Sequence, residues 1–222
     1  MAGNIGFTAT RLEPIIEAYS SLVVRLYVRG RFHILRSRFL DEIGQYMPET
    51  GRVLDIGCGF GLFALYFAKM RPGVDFEGFD YNERRIDDAN EAASRLGRSN
   101  ARFRCGDATK VSVSGSYDAV YMLDIVHHVP RAAVPPLIAA IKRHLRPGGT
   151  LLIKDVADKP AYKRWFTWAL DKAMDPKTPV SYWDPAELQA LLAEHGFKVY
   201  VHQMVDYLPY PHVLYICRDQ GA

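Results

Sequence analysis

The stretch Arg52-Val53-Leu54-Asp55-Ile56-Gly57-Cys58-Gly59-Phe60-Gly61 constrains this chain more than any other. A short apolar run ends in glycines at alternate positions, and a helical run, residues 62–70, begins at once. A strand that turns into a helix over glycine lets a ligand lie against bare backbone at the carboxyl edge of a parallel sheet. A dinucleotide fingerprint needs Gly-x-Gly-x-x-Gly. Here Leu62 stands where its third glycine would be. Asp55, just ahead of the loop, would repel a diphosphate and suits a ligand carrying cationic groups.

Beyond the loop, apolar runs and helical segments alternate. Strands are expected over 52–56, 74–79, 101–105, 117–123 and 150–154, with helices over 62–70, 83–96 and 134–145. Such alternation with short connections gives a parallel sheet covered on both faces. Upstream, residues 14–47 read as helical from the spacing of Leu22, Val23, Leu26, Tyr27, Leu35, Phe39 and Ile43, with Gly30 expected to split them into two helices. After Lys154 the rhythm changes. Residues 159–174 read as an added amphipathic helix bearing Trp165, Phe166 and Trp168, followed by a loop marked by Pro176 and Pro179. Asp184-Pro185-Ala186-Glu187 is a helix start, closed at Gly196. Strands over 197–205 and 212–217, joined by the turn Leu208-Pro209-Tyr210-Pro211, can pair antiparallel.

Three further motifs follow the glycine loop in order. Gly78-Phe79-Asp80-Tyr81 puts a carboxylate at the end of the second strand, where it can accept from both hydroxyls of a ribose. The alternative is a cap for the next helix. Cys105-Gly106-Asp107-Ala108 ends the third strand, with a turn aspartate as the alternative. Tyr117-Asp118-Ala119-Val120 opens the fourth strand, which runs into Leu123-Asp124-Ile125-Val126-His127-His128-Val129-Pro130; Leu145-Arg146-Pro147-Gly148-Gly149 precedes the fifth.

Taken in that order, these motifs resemble the class I S-adenosylmethionine-dependent methyltransferase family, of its small-molecule or lipid type, closely over 50–155 and loosely over 197–218. The resemblance implies an α/β, Rossmann-like fold. Its sheet has seven strands, mostly parallel with the last antiparallel, and helices on both faces. One domain is expected, with a helical arm (1–48), a cofactor-binding core (49–157), a helical insertion or lid (158–183) and a C-terminal helix with two strands (184–222). It also implies S-adenosyl-L-methionine as cofactor and S-adenosyl-L-homocysteine as product. Asp55 and the backbone of Gly57, Cys58, Gly59 and Gly61 would hold the methionine part, and Asp80 the ribose. Tyr81 would cover the adenine, Asp107 and the Ala108 amide would read it, and Leu123 would begin the junction with the acceptor.

Methyl transfer to a hydroxyl requires removal of its proton, and an imidazole titrates near ~6.5 where a phenol titrates near ~10. His127 and His128 are the candidate bases, one expected to face the cleft and the other not. Asp124 is a candidate to orient a histidine or meet the methionine amine. Asp155 is a further candidate, whereas Asp118 and His195 read as structural. The acceptor is expected to be small, apolar or aromatic, or lipid-like, and methylated at oxygen. Trp165, Phe166, Trp168, Tyr182 and Trp183 either roof its pocket or pack the insertion. Leu123-Asp124-Ile125-Val126 stands where an Asn-Pro-Pro-Tyr motif would mark amino methylation of a nucleobase or of glutamine. An aminopropyl transferase and a cofactor-holding module without catalysis are the alternatives.

With Lys+Arg 28 against Asp+Glu 25, the net charge of +3 is too mild to call for nucleic acid. Residues 21–40 nevertheless carry Arg25, Arg29, Arg31, Arg36 and Arg38 and no acid. That is either a solvated helix face or a surface for an anionic group or a peripheral membrane contact. Cys58, Cys105 and Cys217 lack CxxC spacing, which argues against a disulfide framework or a metal site and fits a reducing, cytoplasmic setting. Residues 1–10 show no signal-peptide pattern, and charges interrupt every apolar run short of a membrane span. Oligomeric state is left open.

Overall fold

Val53, Leu54 and Ile56 give strand β1 (Gly51–Ile56) apolar side chains on both faces, and all three are fully buried. The computed structural model describes residues 9–110, 115–157, 165, 168, 180–204 and 212–220, without the side chains of 9–11 and 34–38. Strand β1 pairs in parallel with β2 (Val74–Asp80) on one side and β4 (Tyr117–Leu123) on the other. Strand β3 (Ala101–Cys105), β5 (Leu145–Val156), β6 (Phe197–Gln203) and β7 (His212–Asp219) complete a sheet ordered β3-β2-β1-β4-β5-β7-β6. Strand β7 runs antiparallel to both β5 and β6, as expected. The chain moves outward from β1 to β3 and then returns to the far side of β1. The loops after β1 and β4 therefore flank a crevice at the switch point, where open α/β sheets bind ligands.

Side chains alternate across the strands and sort into two cores. Val53, Tyr121 and Leu152 face α1 (Ala9–Ala18), α2 (Leu22–Gly44), α3 (Leu62–Met70) and α4 (Glu83–Arg95). Leu54, Met122 and Ile153 face α5 (Val134–His144) and α6 (Pro185–Glu194). Asp184 caps α6 by accepting from the Ala186 amide at 2.9 Å, and His195 ends that helix with Nδ1 2.8 Å from the Leu191 carbonyl. Asp118 is structural: it accepts from the Arg52 amide and pairs with Arg146.

The arm departs from expectation. Its break lies at Ser20-Ser21, where the Ser21 side chain accepts from the Val24 amide, and α2 runs unbroken through Gly30. A serine cap satisfies an orphan amide, whereas a lone glycine costs a helix only about 1 kcal/mol. Val24, Val28 and Phe32 form the core stripe of α2, leaving Leu22, Val23 and Leu26 exposed. Arg25 donates to the Tyr19 carbonyl, Arg29 pairs with Glu13 and Arg31 with Asp124. Strand β5 also begins earlier than expected, at Leu145.

The helix expected over 159–174, apart from Trp165 and Trp168, lies outside the described residues, as do the prolines of 176–179 and the turn at 208–211. Trp165 and Trp168 are exposed, at 69% and 43%. Trp183 is buried in the second core with Arg131 over its ring at 4.3 Å. Among the described residues no helix is long and apolar enough to cross a membrane.

Candidate functional site

The loop after β1 is wired to the end of β2. The amides of Gly57 and Cys58 donate to the Phe79 carbonyl at 2.8 and 3.1 Å, and the Gly59 amide donates to Asp80 Oδ2 at 3.0 Å. Asp80 Oδ1 accepts from the Asn82 amide at 2.9 Å. Asn82, not Asp80, caps α4, by accepting from the Arg85 amide. Asp80 therefore binds the loop together while its buried carboxylate stands at the crevice wall.

Two of the loop glycines are required for different reasons. Gly61 has φ +71° and leads into α3; a β-carbon there would meet Phe103 at 2.6 Å and Ala89 at 3.0 Å. It lets loop and sheet pack closely and is not among the residues that line the crevice. Gly59 has φ +55° and nothing within 4 Å of where a β-carbon would be, so its bare backbone borders open space.

That space is a cavity of about 480 Å³, within the ~300–1,000 Å³ usual for small-molecule sites. Asp55, Gly57, Cys58, Gly59, Asp80, Tyr81, Asp107, Ala108 and Leu123 line it, as do Asp124, His127 and His128. Phe60 and Arg85, which sequence reasoning missed, and His212, which it gave only a place in a strand, line the same cavity. So do Tyr27 and Arg31 of the arm. The resemblance puts acceptor specificity over 19–39, and the arginine run reads as either a solvated face or a surface for an anionic group. Asp55 is buried, which pushes its carboxyl well above the usual range; the Tyr121 hydroxyl offsets this in part and the Asp80 charge adds to it. Burial likewise raises the Cys58 thiol, with Asp55 and Asp80 adding. Asp107 accepts from both the Thr109 amide and hydroxyl, at 2.8 and 2.7 Å, and these bonds hold its carboxyl below the usual range.

The far end of the cavity is built on β4 and β5. Asp124 has φ +59°, the one positive φ outside glycine among the described residues. Its Oδ1 accepts from the Lys154 ammonium at 2.5 Å and its Oδ2 from the Arg31 guanidinium at 2.8 Å. Burial alone would raise this carboxyl; Lys154, then Arg31 and His212, hold it well below the usual range. Backbone strain of this kind persists where surrounding contacts over-determine it, often at functional sites.

Asp124 is one candidate to orient a histidine, and the carboxylate that holds His127 is another. Asp155, on the next strand, supplies it: its Oδ1 meets His127 Nδ1 and its Oδ2 accepts the His127 amide at 2.9 Å. His127 is 2% exposed. The Tyr182 ring stacks on it at 5.7 Å, and the His128 ring lies 4.1 Å away. The two histidines share a 3-10 turn, Val126–His128, and both line the cavity, where one was expected to turn away. Of the aromatics expected as a roof, Tyr182 reaches His127, Trp183 packs into the second core, and Trp165 and Trp168 are exposed; Phe166 lies outside the described residues.

A profile of the methyltransferase domain family matches residues 27–202. The ubiquinone biosynthesis O-methyltransferase of Agrobacterium fabrum is 32% identical over 127 residues, 54% of this chain and 49% of that protein. A tRNA (guanine-N(7)-)-methyltransferase of Burkholderia mallei is 32% identical over 135 residues, 53% of this chain and 51% of that protein. The chain spans about half the length of the curated relatives it matches. An S-adenosylmethionine-dependent methyltransferase of Methanosarcina mazei shares the fold with a TM-score of 0.67 and 23% identity, over 82% of this chain and 98% of that one. The chain belongs to the methyltransferase domain family, and the cofactor its sequence motifs imply is S-adenosylmethionine. The cavity fits that cofactor: an open backbone cradle at Gly59 lies between buried carboxylates at Asp55 and Asp80, with Asp107 further along.

Proposed function

We propose that this enzyme methylates a hydroxyl oxygen of a small, largely apolar acceptor, with His127 as general base. The observation that carries the reading is the two-point grip of Asp155 on His127. A carboxylate on Nδ1 favours the tautomer with the proton on that nitrogen and leaves Nε2 as the basic one. It also stabilises the imidazolium formed when the acceptor proton arrives. Tyr182, stacked on the ring, restricts its tilt.

When bound, S-adenosylmethionine supplies a methyl group on a positively charged sulfur, an activated leaving group, so positioning does much of the work. In this reading the Gly57 and Gly59 backbone and the Cys58 turn, with Asp55 behind them, cradle the amino-acid end. Asp80 accepts the ribose hydroxyls through lone pairs beyond those used by the Gly59 and Asn82 amides. Tyr81 covers the base, and Asp107 and the Ala108 amide meet its edge. Leu123 closes the floor between cofactor and acceptor.

Leu26 and Tyr27 line the same cavity, which supports an apolar body for the substrate. A named relative that methylates at oxygen supports the atom chosen. Its tRNA-modifying counterpart shows that similarity alone spans several acceptor classes. Incubating the enzyme with methyl-labelled cofactor and an extract of small metabolites and lipids tests the reading by mass spectrometry. A product carrying one labelled methyl group among phenols or alcohols is expected; label confined to amines would overturn it.

A further inference from the structure

Tyr182 reaches the His127 ring without a helix or strand to carry it. Its ring stacks on the imidazole at 5.7 Å, with 20° between the planes. The described residues 180–184 belong to no helix or strand, and Trp183 makes a single bridge, to Ala157. Individual contacts must therefore hold this segment in place. The Ser181 amide donates to the His127 carbonyl at 2.7 Å, which fixes one backbone to the other.

Arg131 supplies the rest. It opens the 3-10 turn Arg131–Ala133, just after the turn that carries both histidines. Its Nη1 donates to Glu187 Oε1 at 2.8 Å and its Nη2 to Glu187 Oε2 at 2.9 Å. Nη2 also donates to the Tyr182 carbonyl at 3.2 Å, and the guanidinium lies 4.3 Å from the centre of the Trp183 ring. One planar group thus joins the histidine turn, the Tyr182 backbone, the Trp183 ring and the first turn of α6.

Stability is a weak reason for this arrangement. The Arg131 and Glu187 side chains are 45% and 49% exposed, and an ion pair so open to water contributes about 0–1 kcal/mol. What a bidentate carboxylate does fix is the plane of the guanidinium. That plane is aimed at the two residues that flank the Tyr182 ring along the chain. Lysine would offer a point charge with no fork.

We infer that Arg131, aimed by Glu187, is a positioning residue that holds Tyr182 against the His127 ring. Asp155 fixes the edge of the imidazole and this contact fixes its face. The bearing of Arg131 on catalysis rests on His127 as the general base.

Proton–carbon spectra of the full chain with labelled histidine test the stack, because an aromatic ring lying over an imidazole shifts the imidazole protons. Tyr182→Leu should move the His127 resonances, assigned by their absence from His127→Gln. Arg131→Ala should move them the same way, while those of His144 and His202, which meet Gly115 and Glu42, stay in place. Loss of a merely structural contact would lower the melting temperature and leave the His127 resonances alone. Label transfer to the acceptor fraction that the wild type methylates should fall about 10-fold in Arg131→Ala, within the roughly 100-fold that a misplacement of about 1 Å can cost. KM for S-adenosylmethionine should hold, because Arg131 is not among the residues that line the cavity. Arg131→Lys keeps a cation near Trp183 and should recover part of both changes. Glu187→Ala should shift the same resonances, which keeps the proposal open to refutation if Arg131→Ala folds poorly. Wild-type His127 resonances in both variants, or a wild-type rate despite shifted ones, would overturn the proposal. Full activity in His127→Gln would instead remove the general base, while the resonances still decide whether Arg131 holds the stack.

Discussion

Asp155 grips His127 both at the ring Nδ1 and at the backbone amide, across 28 residues of chain. The contact exists because β4 and β5 are parallel neighbours in register, with Leu123 beside Lys154. The end of β5, with Asp155, therefore lies beside the residues that leave β4 at the same sheet edge. One grip fixes the backbone of the turn, the other fixes the ring, and together they leave the histidine few ways to move.

Asp155→Asn tests whether that grip serves catalysis. The amide can still meet the ring but favours the wrong tautomer, so kcat should fall by about 10²–10⁴. Affinity for S-adenosylhomocysteine should change little, because Asp155 lies outside the cavity wall. Turnover of labelled cofactor with the identified acceptor, measured from about pH 5.5 to 9 across the ordinary range of an imidazole, should lose the imidazole limb expected of the wild type. A variant that keeps both kcat and that limb would refute the base assignment.

Asp80 has two duties, and substitutions should separate them. Asp80→Ala removes the acceptor of the Gly59 and Asn82 amides as well as any ribose contact. Asp80→Asn keeps one acceptor oxygen. Loss of bonds to a charged group is worth roughly 1.5–3 kcal/mol each. Asp80→Ala should therefore weaken S-adenosylhomocysteine by at least about 10-fold, and Asp80→Asn by less. Calorimetry returning wild-type affinity for the alanine variant would remove Asp80 from the cofactor site.

Alanine at two glycines of one loop should have opposite signatures. At Gly61 the new β-carbon has Phe103 at 2.6 Å and Ala89 at 3.0 Å, and φ is +71°. Overpacking of that kind costs ~1–3 kcal/mol, and the left-handed backbone adds ~1–2, so the thermal midpoint should drop by several degrees. At Gly59 only the backbone cost applies, since nothing lies within 4 Å. Gly59→Ala should melt closer to wild type yet bind the cofactor product more weakly. Equal melting losses with equal affinities would deny that Gly59 is the ligand-facing glycine.

The order of strands and helices was legible because each carries its own period and its own stop signals. The cofactor was legible because Asp55, the glycine loop, Asp80 and Asp107 end successive strands, and parallel strands deliver their ends to one edge. Contacts between distant segments were not. Asp124 stood three residues from His127 and drew the orienting role, but the left-handed backbone at Asp124 turns its side chain toward Lys154. Asp155 took that role through strand register, which no local pattern records. Arg31 read as surface because α2 is apolar on more than one side at its start. Val24 and Val28 face the core while Leu22, Val23 and Leu26 face outward, so periodicity alone did not say which side met the sheet.

Asp124 sets the acid limit of this part of the fold. Its folded pKa is depressed by Lys154, Arg31 and His212 acting against burial. As pH falls, the unfolded chain therefore takes up the proton first, near the ordinary value of about 3.9. The stabilisation is complete above that value and is lost as pH drops from it through the folded pKa. Asp124→Asn leaves the fully buried Lys154 without its carboxylate, an imbalance that costs ~3–5 kcal/mol. Asparagine tolerates a left-handed backbone, so the loss should report charge and not strain. Urea unfolding should give a wild-type advantage of that size that is flat between about pH 5 and 8, where the carboxylate is ionised in both states, and that narrows below about pH 4. An advantage that narrows instead on raising the pH from 5 to 8, or a variant as stable as the wild type, would show that Lys154 does not depend on Asp124.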